Sequence, residues 1–282
     1  MVRVLCVGDN VVDVYVDEGV LFPGGNAVNV AVHASRLGAA SGYVGALGTD
    51  AAGDLLLRVL AEEGVDVTRT RRVDGPNAYA TVYLNGGDRV FGGADVGVSR
   101  FRAERGDLEA AAEADIVHTG ECSMIEAQLA SLAEAARFLS FDFSERPWDY
   151  VEEWAGFVDL AILSRPAGNG ETAESVARRA LAAGADQAVV SMGPLGALWA
   201  DSEGTVQVAA PPGTPTDTLG AGDALIARVL TGLLAHESPA DFLTAATAYA
   251  TANCAQRGAF GHMTPLDESQ LETIHHRERH HS

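Results

Sequence analysis

The sequence predicts an α/β fold of three layers, with a mostly parallel central sheet between helices and a small β-sheet lid. Three observations predict it. Short apolar runs alternate with stretches of helical spacing, the pattern of a parallel sheet covered on both faces. Two glycine-rich turns each open onto a helix. Two segments, about 11–20 and 77–98, alternate polar and apolar residues and do not belong in the main sheet.

The elements follow in order. Residues 2–7 are apolar apart from Arg3 and end at Gly8-Asp9, as a buried parallel strand would. Residues 26–37 place Val28, Val32 and Leu37 at helical spacing, and Gly38 follows as a stop. A strand over 42–47 and a helix over 53–63, closed by Gly64, come next. In 78–91, Tyr79, Thr81 and Tyr83 alternate with Ala80, Val82 and Leu84, and the turn at 85–88 makes this a hairpin. Residues 11–16 alternate too and can join it. From Ile116 onward strands are expected at 116–118, 140–143, 160–163 and 187–191. Helices are expected at 125–139, 173–183, 223–235 and 242–256. Residues 198–209 form a hairpin that turns at 201–204. One domain is expected over 1–270, followed by a tail at 271–282. The tail's His275, His276, His280 and His281 suit either a metal or a frayed terminus.

Composition narrows the function. The 282 residues carry 19 basic and 39 acidic side chains, a formal charge of −20. Nucleic acid and anionic membranes attract basic surfaces, so neither is an expected partner. No apolar run approaches the roughly 18 residues that span a bilayer. Met1 leads directly into Val2-Arg3-Val4 with no leader-like stretch, and the expected location is the cytoplasm. All 19 basic residues are arginine. That excludes a P-loop lysine, a Schiff-base lysine and a lysine general base. Any bound nucleotide must be held by backbone amides, helix N-termini and arginine. Cys6, Cys122 and Cys254 form no paired motif and imply no disulfide framework.

Three segments carry chemistry. Thr216-Asp217-Thr218-Leu219-Gly220-Ala221-Gly222-Asp223 enters an apolar helix. Its small residues let the backbone turn tightly and aim successive N–H groups into one concavity, an anion site at a helix N-terminus. A carboxylate at Asp223 can accept the proton of a hydroxyl attacking phosphorus; a capping Asp behind a glycine turn is the plain alternative. Gly24-Gly25-Asn26-Ala27-Val28-Asn29 offers two glycines for close approach and two amides three residues apart. Those amides can bind polyol hydroxyls or face solvent. Asp9, in Gly8-Asp9-Asn10 with Asp13 nearby, follows the carboxyl end of the first strand. There it is either a hydroxyl acceptor or a turn residue.

Residues 24–48 and 217–227 together resemble the two signatures of the ribokinase-like (PfkB-type) carbohydrate kinases, and the resemblance runs over nearly the whole chain. It implies a ribokinase-like α/β/α sandwich, ATP and Mg2+ as cofactors, and a small-molecule sugar as substrate. A homodimer formed through the lid is also implied. The strings Arg89-Val90-Phe91-Gly92 and Phe141-Asp142-Phe143-Ser144 resemble the fructoselysine 6-kinase branch, which acts on sugars joined to an amine through C1.

The resemblance implies Asp223 as catalytic base, with Gly220, Ala221 and Gly222 as its anion hole. Asp9, Asn10, Asp13, Gly24, Gly25, Asn26 and Asn29 are implied at the sugar, with Arg89 closing over it from the lid. Ser191, Gly193, Gly196, Thr218 and Asn253 are implied at the nucleotide. Two departures stand out. Arg228 replaces the small residue that ends the second signature. Ser164-Arg165-Pro166-Ala167 stands where the family often has Asn-x-x-Glu for magnesium, which leaves Asp217 and Glu171 as outer-shell candidates. Other ketoses, ribose and nucleosides remain alternative substrates, and a weakly active sugar or nucleotide sensor is an alternative of another class. The first strand does not lead into G-x-G-x-x-G, which argues against a dinucleotide oxidoreductase.

Overall fold

The structure is a computed structural model. It describes residues 3–85, 88–165 and 170–266, with backbone alone for 84, 85 and 88–91. The 271–282 tail, Pro166, Ala167 and the side chains of Arg89 and Phe91 lie outside the described residues.

Along the chain, β1 (Val4–Val7), β2 (Val11–Tyr15) and β3 (Val20–Gly24) lead into α1 (Asn26–Arg36). Then come β4 (Ser41–Val44), β5 (Ala46–Gly48), α2 (Ala51–Glu62) and β6 (Arg71–Val73). The hairpin β7 (Tyr79–Asn85) and β8 (Asp88–Asp95) precedes α3 (Arg105–Glu113) and β9 (Ile116–Gly120). Next are α4 (Leu129–Ala135), β10 (Leu139–Ser144), α5 (Trp148–Trp154), β11 (Leu160–Ser164) and α6 (Ala173–Ala182). The chain closes with β12 (Gln187–Ser191), β13 (Ala197–Asp201), β14 (Gly204–Val208), α7 (Ala221–Leu234), α8 (Pro239–Asn253) and β15 (Thr264–Pro265).

The main sheet has eight strands in the order β14-β13-β12-β11-β10-β9-β1-β4. From β4 to β12 all neighbours are parallel, and β13 and β14 add an antiparallel edge. The apolar runs of the central strands follow from burial on both faces. Val4, Cys6, Leu160, Ile162 and Val189 point to one side, where Val28 and Val32 of α1, Leu225 of α7 and Phe242 of α8 cover them. Leu5, Val7, Ala161, Leu163 and Val190 point to the other, under Ala111 of α3, Leu132 of α4 and Val176 of α6. Each fully buried Val or Leu contributes roughly 1.5–3 kcal/mol. This is a three-layer sandwich, and its parallel strands all end on one edge.

A second sheet, in the order β15-β3-β2-β7-β8, sits beside that edge. Tyr15, Phe22 and Val82 form its own small core, and Leu219 packs against them. The β2 and β7–β8 segments fall where the sequence placed its lid. Strand β3 was not foreseen: Phe22-Pro23-Gly24-Gly25 reads as a turn, but Val20–Gly24 pairs along all of β2.

Two expectations need correction. The strand expected over 42–47 breaks at Gly45, because Tyr43 turns its hydroxyl back to donate to Gly8 O at 2.9 Å and a Cβ at Gly45 would overlap it. Its second half instead pairs with β6. The helix expected over 125–139 is only Leu129–Ala135. Ala136 turns extended, and Leu139 opens β10, where both of its neighbours are parallel strands.

Candidate active site

The site lies where β1, β9 and β10 end and where α1 and α7 begin. Gly8 leaves β1 with φ +132°, and a Cβ there would overlap Ser123 Oγ. This close approach sets Asp9 across from the start of α1. Asp9 Oδ2 accepts from the backbone N–H of Asn26 at 2.7 Å, and Oδ1 accepts from Ser123 Oγ at 2.8 Å. The negative charge thus meets the positive end of a helix. Burial nonetheless pushes the Asp9 carboxyl up, against these hydrogen bonds.

The first turn of α1 carries both amides toward the N-terminus of α7. Asn26 Nδ2 donates to Asp223 Oδ1 at 2.8 Å, and Asn29 Nδ2 donates to Asp223 Oδ2 at 2.7 Å. Asn26 Nδ2 also donates to Asp142 Oδ2 at 2.9 Å. With that nitrogen turned to two carboxylates, Asn26 Oδ1 faces His118 and accepts from its Nε2–H at 3.2 Å. His118 Nδ1 then accepts from the Ser140 hydroxyl at 2.9 Å. Burial holds this histidine neutral, its pKa pushed down to about 3. Asn29 Oδ1 is buried with no hydrogen-bond partner, an acceptor beside Asp223 that a ligand hydroxyl could satisfy.

Asp223 is raised to about 7, first by burial and then by the charge of Asp9, with the Asn29 and Asn26 hydrogen bonds opposing the shift. Asp142 is also raised to about 7, by burial and then by the charge of Asp223. Both carboxylates titrate near neutrality, and the charge of Asp223 is part of what raises Asp142.

Asp217 fixes the loop that carries Asp223. Its Oδ1 accepts from Leu219 N–H at 2.7 Å, and its Oδ2 accepts from Tyr15 Oη at 2.8 Å and Gly258 N–H at 2.9 Å. Gly220 sits at φ +73°, with the place of a Cβ only 2.6 Å from Ala259 Cβ, so this turn requires glycine. A Cβ at Gly222 would meet nothing within 4 Å, which leaves open space over the first turn of α7.

Two cavities meet at this loop. The first, about 680 Å3, is lined by Asp9, Asn26, Asn29, Asp142 and Asp223 and roofed by residues of β7 and β8. The second, about 500 Å3, is lined by Ser191, Gly193, Gly196, Thr218, Ala221 and Gly222, with Pro211, Leu225 and Ala250 making an apolar wall. The loop from 218 to 223 therefore serves both.

The other predicted site residues fall in different places. Asp13 and Gly25 line the first cavity. Gly24 lies behind them, where a Cβ would overlap Asp13 Oδ2. Asn10 lines the cavity but spends its amide on the fold: Nδ2 donates to Tyr43 Oη and Ala46 O, and Oδ1 accepts from Asn77 Nδ2 and Ser99 Oγ. Asn253 lies outside the second cavity's lining and holds Ala259 O at 2.9 Å. Asp217 is 4% exposed and lines neither cavity. Glu171 is exposed and accepts from Trp148 Nε1 at 3.4 Å, also outside both linings. Strand β8 carries Arg89, whose side chain is outside the described residues. Arg228 pairs with Glu237 at 2.7 Å, one turn past Asp223 and clear of both linings.

Ser123, Asp142, Arg100 and Arg146 are among the lining residues that were not foreseen as site residues. Asp142 and Arg146 have a legible signal, since they lie at the end of a strand beside β9, where open α/β sheets bind ligands. Ser123 and Arg100 reach the site from loops, and no local pattern marks them. Among the described residues no group of three or more His, Cys, Asp or Glu is spaced to hold a metal ion. No helix among them is long and apolar enough to cross a membrane.

The chain is similar to known carbohydrate kinases over nearly its whole length. The model of the pfkB family of carbohydrate kinases matches residues 3–265. A fructosamine kinase of Bacillus subtilis is 35% identical over 269 residues, covering 93% of this chain and 94% of its own. A fructoselysine 6-kinase of Escherichia coli is 34% identical over 258 residues, covering 90% and 98%. Among solved structures, an Arabidopsis thaliana ribokinase complexed with ribose and ATP superposes with a TM-score of 0.79 at 22% identity, over 97% of this chain and 99% of its own. A Thermotoga maritima ribokinase gives 0.77 at 19% identity, over 98% and 100%. The fold is ribokinase-like, and the chain belongs to the pfkB family of carbohydrate kinases.

Proposed function

We propose that this sugar kinase transfers the γ-phosphoryl group of ATP to the 6-hydroxyl of a fructosamine such as fructoselysine. One observation carries the reading: Asp223 stands where a cavity lined by carboxylates and amides meets a more apolar one, with the helix N-terminus of Gly220–Gly222 between them. The carboxylates and amides suit a polyol and the second cavity a purine. The names of the two relatives above support the fructosamine.

In this reading the sugar lies against Asp9, Asn26 and Asn29. Asp223 accepts the proton of the primary hydroxyl as its oxygen attacks the γ-phosphorus in line. A proton acceptor titrating near neutrality is matched to that step. The amides at the start of α7 hold the charge that develops on the transferring group. Asn26 and Asn29 fix the carboxylate on both oxygens, so its lone pairs are aimed before substrate arrives. Sheet β2-β7-β8 closes over the sugar and excludes water, which would otherwise compete as nucleophile. Magnesium, when bound with ATP, neutralises the β- and γ-oxygens. With no carboxylate cage on offer among the described residues, and with Glu171 outside both linings, water and phosphate are its expected ligands. Asp217 is fully engaged in shaping the loop and is set aside from that role.

The same reading places the protein in the cytoplasm. It also assigns β8, an edge strand of the smaller sheet, to a homodimer contact. The experiment is magnesium-dependent ADP release with fructoselysine, a second fructosamine, fructose, ribose and adenosine. Strong turnover on the fructosamines supports the proposal. Turnover confined to another acceptor keeps the kinase and discards the fructosamine.

A further inference from the structure

The first cavity is larger and more charged than a lone hexose needs. At about 680 Å3 it is in the range that encloses a drug-sized molecule. Seven carboxylates line it, and two cations, Arg100 and Arg146. Sugar hydroxyls and a substrate amine explain carboxylates; neither explains a guanidinium. Both are exposed at the mouth of the cavity, and neither has an ion-pair partner among the described residues, a condition they share with Arg69 and Arg102.

Both arginines are rooted in fixed backbone. Arg100 follows Ser99, whose hydroxyl donates to Asn10 Oδ1 at 3.0 Å and accepts from Ala78 N–H at 3.1 Å. Arg146 follows the turn at Ser144, whose N–H donates to Asp142 Oδ1 at 2.8 Å, and its own N–H donates to Phe143 O at 3.0 Å. Its guanidinium lies 4.5 Å from the Tyr150 ring centroid. The Tyr150 hydroxyl is itself held by Glu126 at 2.5 Å. A guanidinium stacked on a ring is pre-oriented, and its fork suits a planar two-oxygen anion. The amides at the start of α7 already serve the transferring phosphoryl group, and neither arginine lines the second cavity, which Ala221 and Gly222 do.

We propose that Arg100 and Arg146 hold the carboxylate of an amino acid joined to the sugar through its amine. The acceptor is then a zwitterionic sugar–amino acid adduct, with its reactive hydroxyl at Asp223 and its carboxylate at the arginines. This inference rests on the proposed function and narrows its substrate class.

The test compares fructoselysine with its carboxamide, which differs only in lacking that charge, and includes fructose as a third acceptor. Paired charge-assisted hydrogen bonds predict that wild-type kcat/KM favours the carboxylate about tenfold or more. Arg100→Gln and Arg146→Gln are each expected to shrink that ratio, through KM for the carboxylate, and together to bring it near one. A wild-type ratio near one, or a ratio unchanged in both variants, overturns the inference while turnover of either adduct leaves the fructosamine kinase standing. No turnover of any of the three contradicts the proposed function, and this inference falls with it.

Discussion

Asp142 and Asp223 share one donor: Asn26 Nδ2 lies 2.9 Å from Asp142 Oδ2 and 2.8 Å from Asp223 Oδ1. A single N–H2 group thus bridges two carboxylates that both titrate near 7. The proton inventory of the site belongs to this pair.

That coupling predicts the pH profile. An ionised Asp223 is the proton acceptor, so kcat/KM should rise with pH through about 7 and level off above it. The charge of Asp223 raises Asp142, and a repulsion between two carboxylates acts on both partners, so with the Asp142 charge gone in Asp142→Asn the rise should move to lower pH. A pH series on wild type and variant measures the shift. A profile that does not move separates Asp142 from the titration.

The same shifts bear on stability with the opposite sign. Both folded-state values lie above the ordinary carboxylate value of 3.8. Between about pH 4 and 7 the native state therefore binds more protons than the unfolded chain, and stability falls as pH rises through that window. Asp142→Asn should raise the melting temperature at pH 8 and change it less at pH 4. Thermal unfolding at the two pH values checks this.

Gly220→Ala should damage the loop. It places a Cβ in the left-handed region, at a cost of roughly 1–2 kcal/mol, and pushes it into Ala259. ATP affinity and kcat are expected to fall together, at least tenfold, with the smaller effect on global unfolding. Calorimetric ATP titration and steady-state kinetics measure the two.

Arg228→Ala restores the small residue usual in the second signature. It removes a partly exposed pair with Glu237, worth about 0–1 kcal/mol, and touches neither cavity. Turnover should stay within about twofold of wild type. A large change would revive the reading of a weakened sensor.

The legibility of this protein divides along physical lines. Strands buried on both faces, such as β1 and β11, announce themselves by unbroken apolar runs, because every side chain meets a helix layer. The loop of 216–223 is legible because its chemistry needs small residues at fixed spacing. Strand β3 was not, since Pro23 and two glycines read as a turn while pairing with β2 decides otherwise. Asn10 and Asn253 share a different reason. Their positions lie beside the site, but a buried amide is claimed by whatever carbonyl or hydroxyl lies closest, and that is a three-dimensional fact. Asp217 is the same case: a carboxylate next to a phosphate loop reads as a metal partner until three protein donors surround it.

The central claim is that Asp223 accepts the proton of the sugar hydroxyl. The most direct measurement is kcat for Asp223→Asn with ATP, magnesium and a fructosamine, alongside calorimetric ATP binding by the same variant. The account predicts unchanged ATP binding and a kcat lower by roughly two to four decades, the usual worth of a general base. A variant that binds ATP and turns over within about tenfold of wild type would contradict it.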